Sequence, residues 1–285
     1  MRTIVAICSD FQSGSSLGLV DPKTLLSRED ADGNEYQVAV ELNPAQSYLW
    51  EIYSEGLEEV LRLAGTDPIH LIVNGDMTQG DRFADELSYS TLPDQVQIAS
   101  DLICRWKDYV KTIRLTKSTR VHAFKDGAAD HAILSQLKLR LPEADVRLVS
   151  HGQVVIDGAV IDYAHHGPPG GVRSWLKGNL MRFYVKSLVD TAMKDGRSIP
   201  NAVLRAHKHE RVEEWVVDWR LDTRIKTVGI TTPSFQMMTS HAQKVTNSEP
   251  KVTNGMVALE LVDGAVKDVH WFSRTRYLLA QEVIE

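Results

Sequence analysis

The sequence predicts an α/β fold with more than one sheet. Three observations carry this expectation. Short apolar, β-branched runs alternate with helix-spaced segments through the first two thirds of the chain, and the last third consists of strand-like runs with tight turns. The 43% hydrophobic and 25% charged content is that of an ordinary globular protein. The 285 residues read as a single domain, 1–285, whose C-terminal part is β-rich from about residue 211.

The first strand is Thr3-Ile4-Val5-Ala6-Ile7-Cys8, and it runs into Ser9-Asp10-Phe11-Gln12. In an extended chain, Asp10 and Gln12 would point to the same side. Residues 44–65 read as a helix, with Leu49, Ile52, Tyr53, Leu57, Val60 and Leu61 at helical spacing. Residues 69–73 form a buried strand. Residues 92–115 read as one helix, 120–124 as a strand and 132–141 as a short helix. Strands are expected at 147–149, 153–156 and 159–163, then a helix over 172–195 bearing Arg173, Lys177, Arg182 and Lys186, then a strand at 201–205. The β-rich part holds runs at 211–218, 225–230, 256–261 and 266–272, with a turn at Asp263-Gly264.

No apolar run approaches the ~20 residues that cross a bilayer, and Met1-Arg2-Thr3 does not begin a secretory signal. Cys8 and Cys104 form no CxxC or disulfide framework, so a reducing cytoplasm is the expected compartment. The formal net charge of −6 argues against coating nucleic acid nonspecifically, although a single phosphate in a metal-filled pocket is compatible with it.

In α/β sheets, sites gather at the carboxyl ends of strands. The expected strands end at Asp10-Phe11-Gln12, at Asn74-Gly75-Asp76, before Asp126-Gly127-Ala128-Ala129-Asp130-His131, at His165-His166-Gly167, and at Ala206-His207-Lys208-His209. Taken singly, each has a plain structural explanation: Gly-Asp is a common turn, and a histidine at a helix start is often only solvated. Together they place five of the chain's ten histidines at strand exits. Mixed carboxylate and imidazole donors suit manganese, iron, zinc or nickel. Their number exceeds what one tetrahedral ion needs, and a carboxylate-bridged pair would use them all. Two such ions activate a water and clamp phosphate oxygens, the chemistry of phosphoester hydrolysis.

The ordered set, DFQ at 10–12, GDMTQG at 75–80, DH at 130–131, HHG at 165–167 and HKH at 207–209, resembles the calcineurin-like metallophosphoesterases, most of all their phage and bacterial members. The resemblance implies a four-layer α/β/β/α sandwich of two mixed sheets flanked by helices. It implies two divalent metal ions, manganese first, with iron, zinc or nickel as the others. Asp10 and His209 would bind the first metal and Asp76 would bridge. His166 and His207 would bind the second, with His165 the other choice within its pair, and His131 would be the catalytic histidine. Three departures stand out. Gln12 replaces a histidine ligand, and its amide oxygen favours manganese. Asp130 replaces an asparagine ligand. Ala129 and Ala206 replace glycines.

The implied partner is a phosphoester substrate, a nucleic acid or nucleotide among them. The alternative is a binding or regulatory protein of the same fold with weakened catalysis. A serine hydrolase is disfavoured: Gly14-Ser15-Ser16-Leu17-Gly18 matches G-x-S-x-G, but Leu19-Val20-Asp21-Pro22 follows and begins no helix. Residues 231–241 read as a loop that carries Phe235, Gln236 and His241, and the sequence assigns no residue to substrate binding.

Overall fold

A computed structural model of the chain describes residues 1–168, 176, 178–220, 223–239 and 251–278, without the side chains of Trp219, Arg220 and Thr223. Arg173, Lys177 and His241 lie outside the described residues.

The chain begins with β1 (Arg2–Cys8), then a hairpin of β2 (Leu25–Glu29) and β3 (Glu35–Ala39), helix α1 (Pro44–Ala64), β4 (Ile69–Val73), α2 (Leu92–Cys104) and β5 (Val110–Thr116). There follow α3 (Ala128–Arg140), β6 (Asp145–Val149), β7 (His151–Ile156), β8 (Ala159–Ala164), α4 (Asn179–Lys194) and β9 (Ala202–Arg205). The β-rich end comprises β10 (Val212–Arg220), β11 (Thr223–Thr231), β12 (Lys251–Val262) and β13 (Ala265–Tyr277). The result is a mixed α/β structure with a six-stranded sheet, order β13-β12-β1-β4-β5-β6, a five-stranded sheet, order β10-β11-β9-β8-β7, and the small hairpin. No helix among the described residues is long and apolar enough to cross a membrane.

Three apolar cores hold these elements. One packs Ile4, Ala6, Leu71 and Ile113 of the first sheet against α1, α2 and α3. A second takes the other face of that sheet, Val5, Ile7 and Ile72, together with Ile161, Leu204 and Ile230 of the second sheet. The third packs α4 on Val203, Val216 and Ile225. The central strand β1 is buried on both faces, which is why its sequence is a continuous apolar run rather than an alternation. Helix α1 starts sharply because Asn43 accepts from the Gln46 N–H while the Gln46 side chain accepts from the Asn43 N–H.

Several sequence expectations are corrected. The expected helix over 92–115 ends at Cys104, and Val110–Thr116 is a strand parallel to β4. The expected strand at 120–124 is a series of turns. The short helix begins at Ala128 instead of 132, placing His131 inside its first turns. The β2–β3 hairpin went unread, being almost wholly solvent-exposed apart from Leu26.

One buried ion pair braces the second sheet beneath the site. Arg205, at the end of β9, is 1% exposed and donates to Asp162 Oδ1 (2.7 Å) and to the Tyr184 hydroxyl (2.7 Å). Asp162 also accepts from His151 Nε2 and Gln153 Nε2. Removing one partner strands a buried charge. Asp162→Ala is therefore expected to cost about 3–5 kcal/mol in urea unfolding, and a loss below about 1 kcal/mol would show the pair to be energetically idle.

Candidate metal centre

Strands β1, β4 and β5 run parallel, with Cys8 paired to Val73, so their carboxyl ends open on one edge. In the second sheet β8 and β9 are parallel and end at Ala164 and Arg205. The loops leaving both sheets meet. Phe235 N–H donates to Asp10 O (3.1 Å), Ala206 N–H donates to His165 O (2.9 Å), and His165 Nδ1 lies 2.6 Å from Asn74 O.

The side chains are turned inward by unusual backbone. Of nine non-glycine residues with positive φ among the described residues, five are Asp10 (53°), Gln12 (48°), Asp76 (46°), His207 (70°) and His209 (51°). Left-handed residues of this kind are uncommon and concentrate where function dictates the conformation. The extended geometry expected for Asp10 and Gln12 therefore does not hold. Nor do His207 and His209 share a strand face, because β9 ends at Arg205. Gly75 is required at its position: φ is +85°, and a Cβ there would lie 2.5 Å from His165 Nδ1.

Asp10 (0% exposed) and Asp76 (1%) form the floor. His209 Nε2 is 3.1 Å from Asp10 Oδ1. His165 Nε2 is 3.0 Å from Asp76 Oδ2 and 4.0 Å from Asp10 Oδ1, so it stands between the two carboxylates. His207 Nδ1 is 4.0 Å from Asp76 Oδ2. Asp76, His165 and His207 offer donor atoms all within 4.8 Å of one another. Thr119 orients Asp76, its N–H donating to Oδ1 at 2.6 Å and its hydroxyl at 3.0 Å.

Burial works against the charged form of each of these groups, and their mutual attraction prevails. At Asp10, burial is outweighed by the His209 and His165 imidazoles, which bring the carboxyl below its ordinary value. At Asp76, burial is likewise overcome, by His165, then His207 and His122, and the carboxyl sits well below the carboxylate range. Burial pulls His165 down, yet Asp76 and Asp10 raise it to about 9.

The donor set fits a cation. A carbonyl only accepts, so His165 Nδ1 carries its hydrogen toward Asn74 O, and Nε2, which faces the carboxylates, is the nitrogen that becomes a donor once its proton has left. This backbone-anchored imidazole is the arrangement metal-binding histidines adopt. Gln12 Oε1 is buried without a hydrogen-bond partner, as expected of a donor that serves an ion.

The remaining sequence-derived residues fall less centrally. His166 is exposed, its ring 4.6 Å from that of His207 at the rim, while its neighbour His165 reaches the floor. Burial and then the nearby His165 and His207 lower His166. Asp130 is buried, but its oxygens accept from Ser118 N–H (2.9 Å) and Ser118 Oγ (2.7 Å), which fixes the turn bearing Thr119. Burial raises its carboxyl against those bonds. His131 is exposed, and no hydrogen bond or ion pair among the described residues ties its side chain to the carboxylates.

Sequence reasoning missed His122. Its Nε2 is 3.8 Å from Asp76 Oδ2, and its Nδ1 lies 2.8 Å from Gln79 O, which makes Nδ1 the protonated nitrogen. Thr78 Oγ1 donates to His122 O (2.5 Å), and Gly80 packs so closely that a Cβ would lie 2.2 Å from Val121 O. The turn after β5 is thus clamped to the loop after β4. The signal in the sequence was the polar run Lys117-Ser118-Thr119-Arg120, which ends the strand before His122.

The chain matches no protein-family model and no curated protein sequence.

Proposed function

We propose that this protein is a metal-dependent phosphoesterase of the calcineurin-like kind, hydrolysing phosphodiester or phosphomonoester bonds. The observation that carries the reading is the pair of buried carboxylates, Asp10 and Asp76, with His165 between them and His207 and His209 alongside. The three stacked cores support the four-layer α/β/β/α arrangement that the resemblance implies.

Asp10, Gln12 and His209 would hold one ion, His165 and His207 the other, with Asp76 shared. Divalent ions bound there would supply Lewis acidity toward a phosphoryl oxygen and a more acidic water. The rest is protein. Thr119 fixes the Asp76 carboxylate, and Ser118 with Asp130 fixes Thr119's turn. Gln79 O holds the His122 Nδ1–H, so Nε2 is the nitrogen that would take up a proton from solvent and pass it to the leaving oxygen. Gln236 Nε2 donates to Gln79 Oε1 (3.2 Å), tying the loop after β11 to this wall.

The test is hydrolysis of an aryl phosphodiester and an aryl monoester by manganese-reloaded protein, with metal analysis. His122→Ala is expected to lower kcat by on the order of 10²–10⁴, and His131→Ala to leave it within about twofold. Bound metal with no turnover of either ester would replace this reading with a binding protein of the same fold. A full rate in His122→Ala would remove that imidazole from the mechanism.

A further inference from the structure

Gln95 stands in the first turn of α2 and is fully buried (0% exposed). A buried amide is costly unless its atoms are hydrogen-bonded. Here they all are. Gln95 Oε1 accepts from the N–H groups of Gln79 (3.0 Å) and Gly80 (2.9 Å), and Gln95 Nε2 donates to Gly80 O (2.9 Å) and Tyr89 O (2.9 Å). Two acceptor sites and two donor hydrogens are the whole capacity of the group, and the backbone uses them all. Helix α2 does not need these bonds, because Thr91 caps its start by accepting from Asp94 N–H (3.2 Å).

Three segments meet at this amide. Gln79 and Gly80 belong to the loop after β4, and Tyr89 to the segment that leads into α2. The loop after β1 joins them: Gln79 N–H donates also to Ser13 O (2.9 Å), and Ser88 and Tyr89 N–H donate to Gly14 O (2.9 and 3.0 Å). The Gln79 side chain is occupied elsewhere, accepting from Gln236 Nε2 (3.2 Å) and donating to Glu86 Oε2 (3.4 Å).

One of these bonds bears on the chemistry. The Gly80 N–H and the Gln79 carbonyl are the two ends of a single planar, trans peptide unit. At one end the N–H donates to Gln95 Oε1 (2.9 Å). At the other the carbonyl accepts from His122 Nδ1 (2.8 Å). A peptide unit held at both ends cannot swing, and releasing the N–H end frees the carbonyl to turn. A donated N–H also polarises its own carbonyl and strengthens the bond at the far end. Gln95 thereby sets the direction of the acceptor that keeps His122 Nε2 3.8 Å from Asp76 Oδ2.

We propose that Gln95 is a positioning residue: acting through the Gln79–Gly80 peptide, it aims His122 at the leaving oxygen without itself touching substrate or metal. This rests on the phosphoesterase reading above. Two aryl phosphodiesters with different leaving groups, given to the manganese-loaded full chain, test it. A nitrophenolate departs without a proton, whereas a phenolate needs one. Gln95→Met keeps the length of the side chain and removes all four bonds. It is expected to slow the phenyl ester about 10–100-fold and the nitrophenyl ester by no more than about threefold. Gln95→Glu keeps an oxygen for the Gln79 and Gly80 N–H groups and should recover most of that loss. Added to His122→Ala, Gln95→Met should cost no more than about a further twofold, because the group it positions is gone. Equal slowing of both esters, or losses that multiply in the double variant, would mark a purely structural residue and overturn the proposal. A readout free of turnover is the His122 Nδ1 proton, followed by NMR in isotope-labelled full chain with zinc. In the unsubstituted protein it should exchange slowly with water, and in Gln95→Met that protection should disappear. Rapid exchange in the unsubstituted protein would overturn the proposal even if no variant folds. Protection lost in a Gln95→Met protein whose parent hydrolyses neither ester would sustain the positioning of His122 and overturn the phosphoesterase reading alone.

Discussion

Asp76→Asn is expected to abolish metal retention and to lower phosphoester hydrolysis by at least about a hundredfold. The substitution preserves volume but removes the anion shared between the two halves of the site. Asp76 is 1% exposed, and it faces His165 Nε2 at 3.0 Å, His122 Nε2 at 3.8 Å and His207 Nδ1 at 4.0 Å. Residues that merely support metal ligands cost about 10–100-fold when replaced, and loss of a ligand should exceed that. The amide also cannot accept fully: with Thr119 donating to Oδ1, the Nδ2 hydrogens would point at imidazoles poised to bind a cation. Asp130→Asn is the matched control, because Ser118 occupies both of its oxygens. Its expected effect is about tenfold, through the Thr119 turn. Metal content and rate in Asp76→Asn within about threefold of the unsubstituted protein would break the link between this carboxylate and catalysis, since a loss that small is below even a supporting contact.

Metal affinity is expected to rise about a hundredfold from pH 6 to pH 8. His165 is raised to about 9 by Asp76 and Asp10 acting against burial, so in the metal-free protein it holds a proton that must leave before its Nε2 can bind an ion. One proton lost per ion gives about tenfold in affinity per pH unit below that value. Stability of the metal-free protein moves in the opposite direction. A folded value raised from about 6.5 to about 9 contributes about 3 kcal/mol that is fully present below pH 6.5 and lost as pH rises toward 9. The lowered Asp10 and Asp76 contribute stability that is present above their unfolded values, near pH 4, and lost on acidification below that. Thermal unfolding with and without manganese should therefore show Tm of the metal-free protein falling from pH 6.5 to 9 while the increment from metal grows. His165→Gln should flatten both trends. An affinity independent of pH between 6 and 8 would exclude His165 as a ligand.

How much of this was readable before the structure varies by position. The exits of β1, β4, β8 and β9 were legible, because apolar runs buried on both faces are abruptly followed by Asp or His. The reason those side chains converge was not. Asp10, Gln12, His207 and His209 owe their directions to left-handed backbone, and residue spacing along an extended strand says nothing of it. Adjacent His165 and His166 are equivalent in sequence, and only the Asn74 carbonyl, brought in from another strand, distinguishes them. His122 was hidden by a periodicity error. Val96, Leu102, Trp106 and Val110 keep helical spacing, so the start of β5 at Val110 was absorbed into the preceding helix and the site turn was displaced onto residues 120–124. The β2–β3 hairpin gave little apolar signal, although Asp32-Gly33-Asn34 is turn chemistry between two short runs.

In the proposed enzyme, loops from two sheets build one metal centre around Asp76. Anomalous diffraction at the manganese edge, from crystals of the full chain soaked in manganese, tests it most directly. The expected density is bounded by Asp76, His165 and His207, with a second peak on the side of Asp10, Gln12 and His209. Manganese bound elsewhere, or none between Asp76 and the histidines at saturating concentration, would contradict it.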